Sequence, residues 1–135
     1  MNSLVLDEPQ TPQLHVEIID TNEGLLSLKV DWQELEARDP EMTFFLSWEW
    51  LAEVFRQHPG RWRVLVARKA NEQSSCVGIL PLKYRLHWSS TRNQFETQIE
   101  AGGRLMFSEY TGFLCESGLE RPVMEIFGNA LRRMP

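Results

Sequence analysis

Three histidines, His15, His58 and His87, and two cysteines, Cys76 and Cys115, are the residues best suited to bind a metal or attack a substrate. No two of the histidines stand three or four positions apart, the spacing that places two ligands on one helix face, so a metal centre is not expected. Neither cysteine has an adjacent histidine and no serine sits in a Gly-x-Ser-x-Gly turn, which leaves nucleophilic catalysis without a signature. Cysteines this far apart read as two buried thiols, with a single bridge left open. Phosphate binding requires small residues that expose amides at a helix start. Here the glycine pair Gly102-Gly103-Arg104 runs into Leu105, Met106 and Phe107 and reads as a turn, and no Gly-x-Gly occurs in the chain.

Charge suggests a binding face rather than a reaction. Lys83, Arg85 and His87 alternate along one stretch and so share one face of a strand, with Arg61, Arg63, Arg68 and Lys69 near in sequence. Such a face attracts an anionic ligand and weakens with salt; equally, it can oppose an acidic part of the same chain. The second reading has a source, because twelve of the nineteen acids lie in residues 1–53 with only Lys29 and Arg38 as bases there. The net charge of −5 argues against general nucleic-acid binding. Five tryptophans, Trp32, Trp48, Trp50, Trp62 and Trp88, invite a saccharide-stacking reading, yet four of them sit on apolar stripes where a large ring is expected in the core. Trp48 and Trp50 cannot face the same way on one helix, so one of the two is left to line a cleft or meet a partner.

The elements that position these residues can be read from periodicity. A chain of 135 residues with 42% hydrophobic residues can bury roughly two-thirds of its unfolded surface as a single domain. Residues 1–13, with Pro9 and Pro12, read as a loose leader, and residues 14–135 as the domain. His15 to Ile19 suits a strand. Asp20 and Glu23 form a capping-box-like pair before a helix carrying Leu25, Leu28, Trp32 and Leu35, which Asp39-Pro40 stops. Ser47 caps a second helix that ends at Pro59-Gly60. Trp62 to Ala67 suits a strand, and Leu80 to Trp88 alternates as a strand with one buried face, where Pro81 calls for a bulge or an edge position. Further strands are expected from Phe95 and through Tyr110 to Cys115, before a closing helix with Pro122 in its first turn. Consecutive strands joined without helices indicate an α+β domain with a largely antiparallel sheet. No stretch has the apolar length of a membrane span and the start lacks an export pattern, so a cytoplasmic location is expected.

Four segments, in this order and spacing, carry a resemblance: Trp32-x-x-Leu35, Thr43-Phe44-Phe45-Leu46-Ser47-Trp48-Glu49-Trp50-Leu51, Val77-Gly78-Ile79-Leu80-Pro81-Leu82, and Ser108-Glu109-Tyr110. Over roughly Leu25 to Leu131 the chain resembles the CelD-like, GNAT-type acetyltransferases. Members of that family are linked to cellulose and other exopolysaccharide biosynthesis, and are similar to transferases that add amino acids to peptidoglycan precursors. The resemblance implies a GNAT-like fold, a largely antiparallel mixed sheet with helices packed on it, and a protein of two related halves. The present residues look like the first, and the second would carry the acyl-CoA site.

In that reading the complete protein is an N- or O-acyltransferase of polysaccharide or cell-envelope biosynthesis with acetyl-CoA or another acyl-CoA as co-substrate. None is expected to bind this chain alone, since the signature Gln/Arg-x-x-Gly-x-Gly/Ala is missing. The implied partners are a C-terminal GNAT domain of the same protein and a small-molecule or saccharide acceptor, with neither nucleic acid nor a membrane span. Ser47, Trp50, Glu109 and Tyr110 are the implied acceptor-side residues. Their purely structural readings are helix cap, core ring, solvated turn acid and core-edge tyrosine. After Gly103 the chain departs from the family, with Glu109-Tyr110-Thr111-Gly112 where an aspartate soon after the tyrosine is more usual. The competing reading is a non-catalytic module for an anionic saccharide or a partner protein, which an exposed aromatic cluster beside Lys83 and Arg85 would favour.

Overall fold

Alternating and helical apolar patterns meet around one sheet in the computed structural model, which describes residues 13–42, 44–71, 73–89, 94–101 and 112–134. Strand β1 (Leu14–Ile19) leads into helices α1 (Asn22–Ser27) and α2 (Lys29–Arg38), a short 3-10 turn (Phe44–Leu46) and α3 (Trp48–Arg56). Strands β2 (Trp62–Lys69), β3 (Cys76–Ser89), β4 (Gln94–Ala101) and β5 (Leu114–Cys115) follow, and α4 (Glu120–Arg133) closes the order. The sheet runs β1-β2-β3-β4, with β5 also on β3, and every pairing is antiparallel. The architecture is thus α+β.

Alternation along β2 sends Trp62, Val64 and Val66 to one face and Leu65 and Ala67 to the other. The first group packs with Leu25, Leu28, Trp32 and Leu35 of the α1–α2 stretch and Leu51, Val54 and Phe55 of α3. The second packs under Val123 and Phe127 of α4. Helices therefore cover both faces, which corrects the expectation of one buried face for β3 as far as Tyr84, beyond which the side chains lie outside the described residues: Pro81 is fully buried and Lys83 is 8% exposed. A long aliphatic stem lets a lysine lie at such a position.

The first helix is also corrected. It is two, meeting at the buried Leu28, and its cap is Thr21 rather than Asp20, since Thr21 Oγ1 accepts from Gly24 N at 3.0 Å. The buried row Leu25, Leu28, Trp32 and Leu35 survives the break.

Pro81 lies in the central strand without an edge. Tyr84 N donates to Arg61 O at 2.7 Å on the β2 side, whereas Val77 O accepts from Glu116 N at 2.9 Å on the β5 side. Backbone groups alternate sides along a strand, so position 81 faces the β5 side. There β5 pairs only Gly78 and Ile79, and β4 pairing begins at Leu82. Among the described residues the missing N–H faces neither partner, so no ladder bond is required of it. The register shift lies elsewhere, between Ala67 and Arg68 opposite Gly78 and Cys76.

Both cysteines are free and buried, and the bridge left open by sequence does not form. Cys76 packs in the α1–α3 layer and Cys115 in the α4 layer, on opposite faces of the sheet. Burial pushes the Cys76 thiol up to about 11 and the Cys115 thiol up to about 12, the acids Glu120, Asp39 and Glu116 adding to the second. Because the unfolded thiols ionise near 9.0, their contribution to stability is fully present below that pH and is lost as pH rises towards 11 and 12. Denaturant titrations between pH 8 and about 10.5 should show stability falling by up to about 1.4 kcal/mol per pH unit from the Cys76 thiol, with a smaller fall from Cys115. Replacing Cys76 with Ala should make the fall shallower; a flat profile in the unaltered chain would refute the assignment.

Candidate functional site

Helix α3 begins where its sequence says it should. Ser47 is extended (φ −71°, ψ 149°), and its Oγ accepts from Trp50 N at 3.2 Å, satisfying one of the amides a helix start leaves open. A second comes from another element, because Glu36 of α2 reaches across and Oε1 accepts from Trp48 N at 2.6 Å. Burial raises the Glu36 pKa above the ordinary carboxylate value; the bond from Trp48 opposes that rise and Glu49 reinforces it. Carboxylate and hydroxyl together close the first turn of α3, and Ser47 itself is buried.

The two tryptophans diverge from this start. Trp48 is held by Nε1 donating to Leu25 O at 3.3 Å, with Lys29 Nζ 4.7 Å from its ring centroid. It lines a cleft of about 520 Å³ between α1, α3 and the Pro59-Gly60 turn, with Leu26, Asp20, Asn22 and Arg56 also on the wall. Trp50 goes to the other side, where its ring centroid lies 5.5 Å from both Phe44 and Phe45. Its Nε1 is buried and has no hydrogen-bond partner among the described residues. Phe44, the outermost ring of this group, is 59% exposed.

The structure thus brings Ser47 and Trp50 together through one backbone hydrogen bond, while Glu109 and Tyr110 lie outside the described residues. Ser47 holds the position of a helix cap, and Trp50 is a half-buried ring with an unused donor. An aromatic wall beside a carboxylate, an amide and a guanidinium can hold a polar molecule in the Trp48 cleft. The neutral thiols offer no activated nucleophile. Among the described residues, no three His, Cys, Asp or Glu side chains are arranged to hold a metal ion, and no helix is long and apolar enough to cross a membrane.

Much of the expected cationic face is balanced from within. Arg68 donates to Asp31 at 3.1 Å and to Glu17 at 3.2 Å, both from the acidic N-terminal part. Lys69 lies 4.0 Å from Glu116, which also pairs with Arg38 at 3.0 Å. Arg63 leaves that face and stands over the Tyr84 ring at 5.3 Å. In the backbone register Lys83 and His87 of β3 stand opposite positions 100 and 96 of β4. Sequence reasoning foresaw the acidic–basic opposition but missed Glu36 as a cap and Asp39, whose Oδ2 accepts from Cys115 N at 3.0 Å. Both act across the fold, with no local spacing to reveal them. Compared with known proteins, the chain matches no family model, no curated protein and no solved structure.

Proposed function

We propose that this chain is the acceptor-side or scaffold half of a GNAT-type N- or O-acyltransferase of polysaccharide or cell-envelope biosynthesis, partnered by a C-terminal GNAT domain that holds acyl-CoA. The observation that carries this reading is the buried indole N–H of Trp50, unused among the described residues, in the first turn after the Ser47 cap. A buried donor without a partner costs about 1–3 kcal/mol, so its retention favours a role in which an acceptor oxygen engages it. Phe44, exposed beside it, is the ring that would move to admit the acceptor. The four-segment resemblance and the antiparallel α+β architecture support the same reading. In the reaction, an acceptor amine or hydroxyl attacks the thioester carbonyl, and this half contributes by holding that acceptor in place.

Calorimetry of acetyl-CoA against residues 1–135 is expected to give no saturable heat, and stoichiometric binding would overturn the division of labour. In the complete protein, Trp50→Phe removes the donor while keeping a ring. It should raise the acceptor KM with the unfolding midpoint nearly unchanged; an unaltered KM would remove Trp50 from the acceptor site. The second reading, a saccharide- or partner-binding module, draws on the Trp48 cleft with Lys29 and Arg56 beside it. Salt-sensitive binding of an anionic oligosaccharide by residues 1–135, with no turnover in the complete protein, would favour it instead.

A further inference from the structure

Among the described residues, β1 pairs only with β2, and its other edge carries none of the usual protections. The strand has no lysine or proline, its six-residue register with β2 is unbroken, and its acid, Glu17, is already engaged by Arg68. Edge strands that stay single are commonly blunted by such devices, because their open N–H and C=O groups template pairing with another chain. Gln13 O accepts from Ala70 N at 2.9 Å on the β2 side. By alternation, Leu14, Val16 and Ile18 direct their N–H and C=O groups outward.

We propose that two copies of this chain pair through the outer edges of β1, antiparallel about a two-fold axis at Val16, to form one continuous sheet. Backbone alternation allows only registers that face even-numbered positions with one another, and side chains choose among them. Setting Val16 against the partner's Leu14 brings His15 against the partner's His15, and setting it against the partner's Ile18 brings two Glu17 carboxylates together. Setting Val16 against the partner's Val16 faces His15 with the partner's Glu17, a donor with a carboxylate, in both directions. The same register lays Leu14 beside the partner's Ile18 on the α4 face. The Leu14–Ile18 and Val16–Val16 pairs then exchange both backbone hydrogen bonds, and the His15–Glu17 pairs meet through side chains alone.

The apolar surface on this face is in keeping with such a seam. Ile18 is 46% exposed, and with Leu14 and Val16 it borders a groove of about 600 Å³ against Ile126 and Ala130 of α4 and the Met134 that follows it, with Arg63 and Arg133 also on the wall. A two-fold contact is self-complementary, and of the three registers compared the one centred on Val16 faces His15 with the partner's Glu17 in both directions.

Light scattering of residues 1–135 should give twice the 15.8 kDa chain mass at concentrations up to roughly millimolar. Val16→Pro removes an outward N–H and no β1–β2 bond, so it should weaken the dimer at least about tenfold with the circular dichroism spectrum unchanged. Val16→Cys should form a disulfide-linked dimer under mild oxidation, since facing positions in an antiparallel pair lie within disulfide reach, while His15→Cys should not. A monomer at roughly millimolar concentration, a dimer indifferent to Val16→Pro, or cross-linking at position 15 but not at 16 would each overturn the proposal. So would slow amide exchange at Val16 in a monomer, which would mean that another segment of the chain covers this edge.

Discussion

Trp32→Ala is expected to cost about 3–5 kcal/mol of unfolding free energy, a large share of the roughly 5–15 kcal/mol available to a domain. Trp32 is fully buried at the centre of the α1–α3 layer, and its Nε1 donates to Leu46 O at 2.9 Å. Truncation would leave a cavity among Leu25, Leu28, Leu35 and Leu51, and would strip the carbonyl of Leu46 of its donor. That carbonyl belongs to the residue before Ser47, so the damage should spread to the start of α3 and the aromatic group around Trp50. Trp32→Phe separates the two contributions: most of the ring volume stays and the hydrogen bond goes, at about 1–3 kcal/mol. Urea unfolding of the three proteins measures both. A loss below about 1 kcal/mol for Trp32→Ala would show that the layer repacks and that Trp32 does not organise it.

The second large effect is predicted at Gly78, where the structural reason differs. This glycine has no need of a left-handed backbone; it is required because α4 crosses β3 at close range. A Cβ added there would lie 2.6 Å from Val123 Cγ1 and 3.3 Å from the Phe127 ring, too near for the Val123 side chain to stay in place. Gly78→Ala is expected to cost about 1–3 kcal/mol through overpacking, with Gly78→Val higher, and to loosen α4. Val123→Ala should partly rescue Gly78→Ala, because it vacates the space the new methyl needs, even though Val123→Ala alone leaves a cavity. Strict additivity in that double-mutant cycle would refute the contact. The segment Val77 to Leu82, which carries part of the family resemblance, thus has a packing role independent of any substrate.

Much of the local structure was legible in the residues. The Ser47 cap, the Pro59-Gly60 stop, the buried row Leu25, Leu28, Trp32 and Leu35, and the succession of strands after Trp62 all follow from neighbours within a turn or two of each other. Propensity, capping and periodicity act over that range, so they can be read without knowing the fold. The helix break at Leu28 and the choice of Thr21 over Asp20 were not legible, because two nearby caps of similar strength differ only in how the helix docks.

Sequence by itself determined the α+β class, the order of elements apart from the break that makes the first helix two, the divergence of Trp48 from Trp50 and the opposition of an acidic start to a more basic sheet. Only the tertiary structure decided that helices cover both faces, that Lys83 is buried, that Pro81 falls between two strand partners, and that the cysteines lie on opposite faces. It also decided that Glu36 caps α3 and that Trp50 keeps an unused donor. The physical reason is range. Such contacts join residues far apart in sequence, and their geometry is set by strand register and helix docking, which depend on the packing of the whole chain rather than on any local pattern.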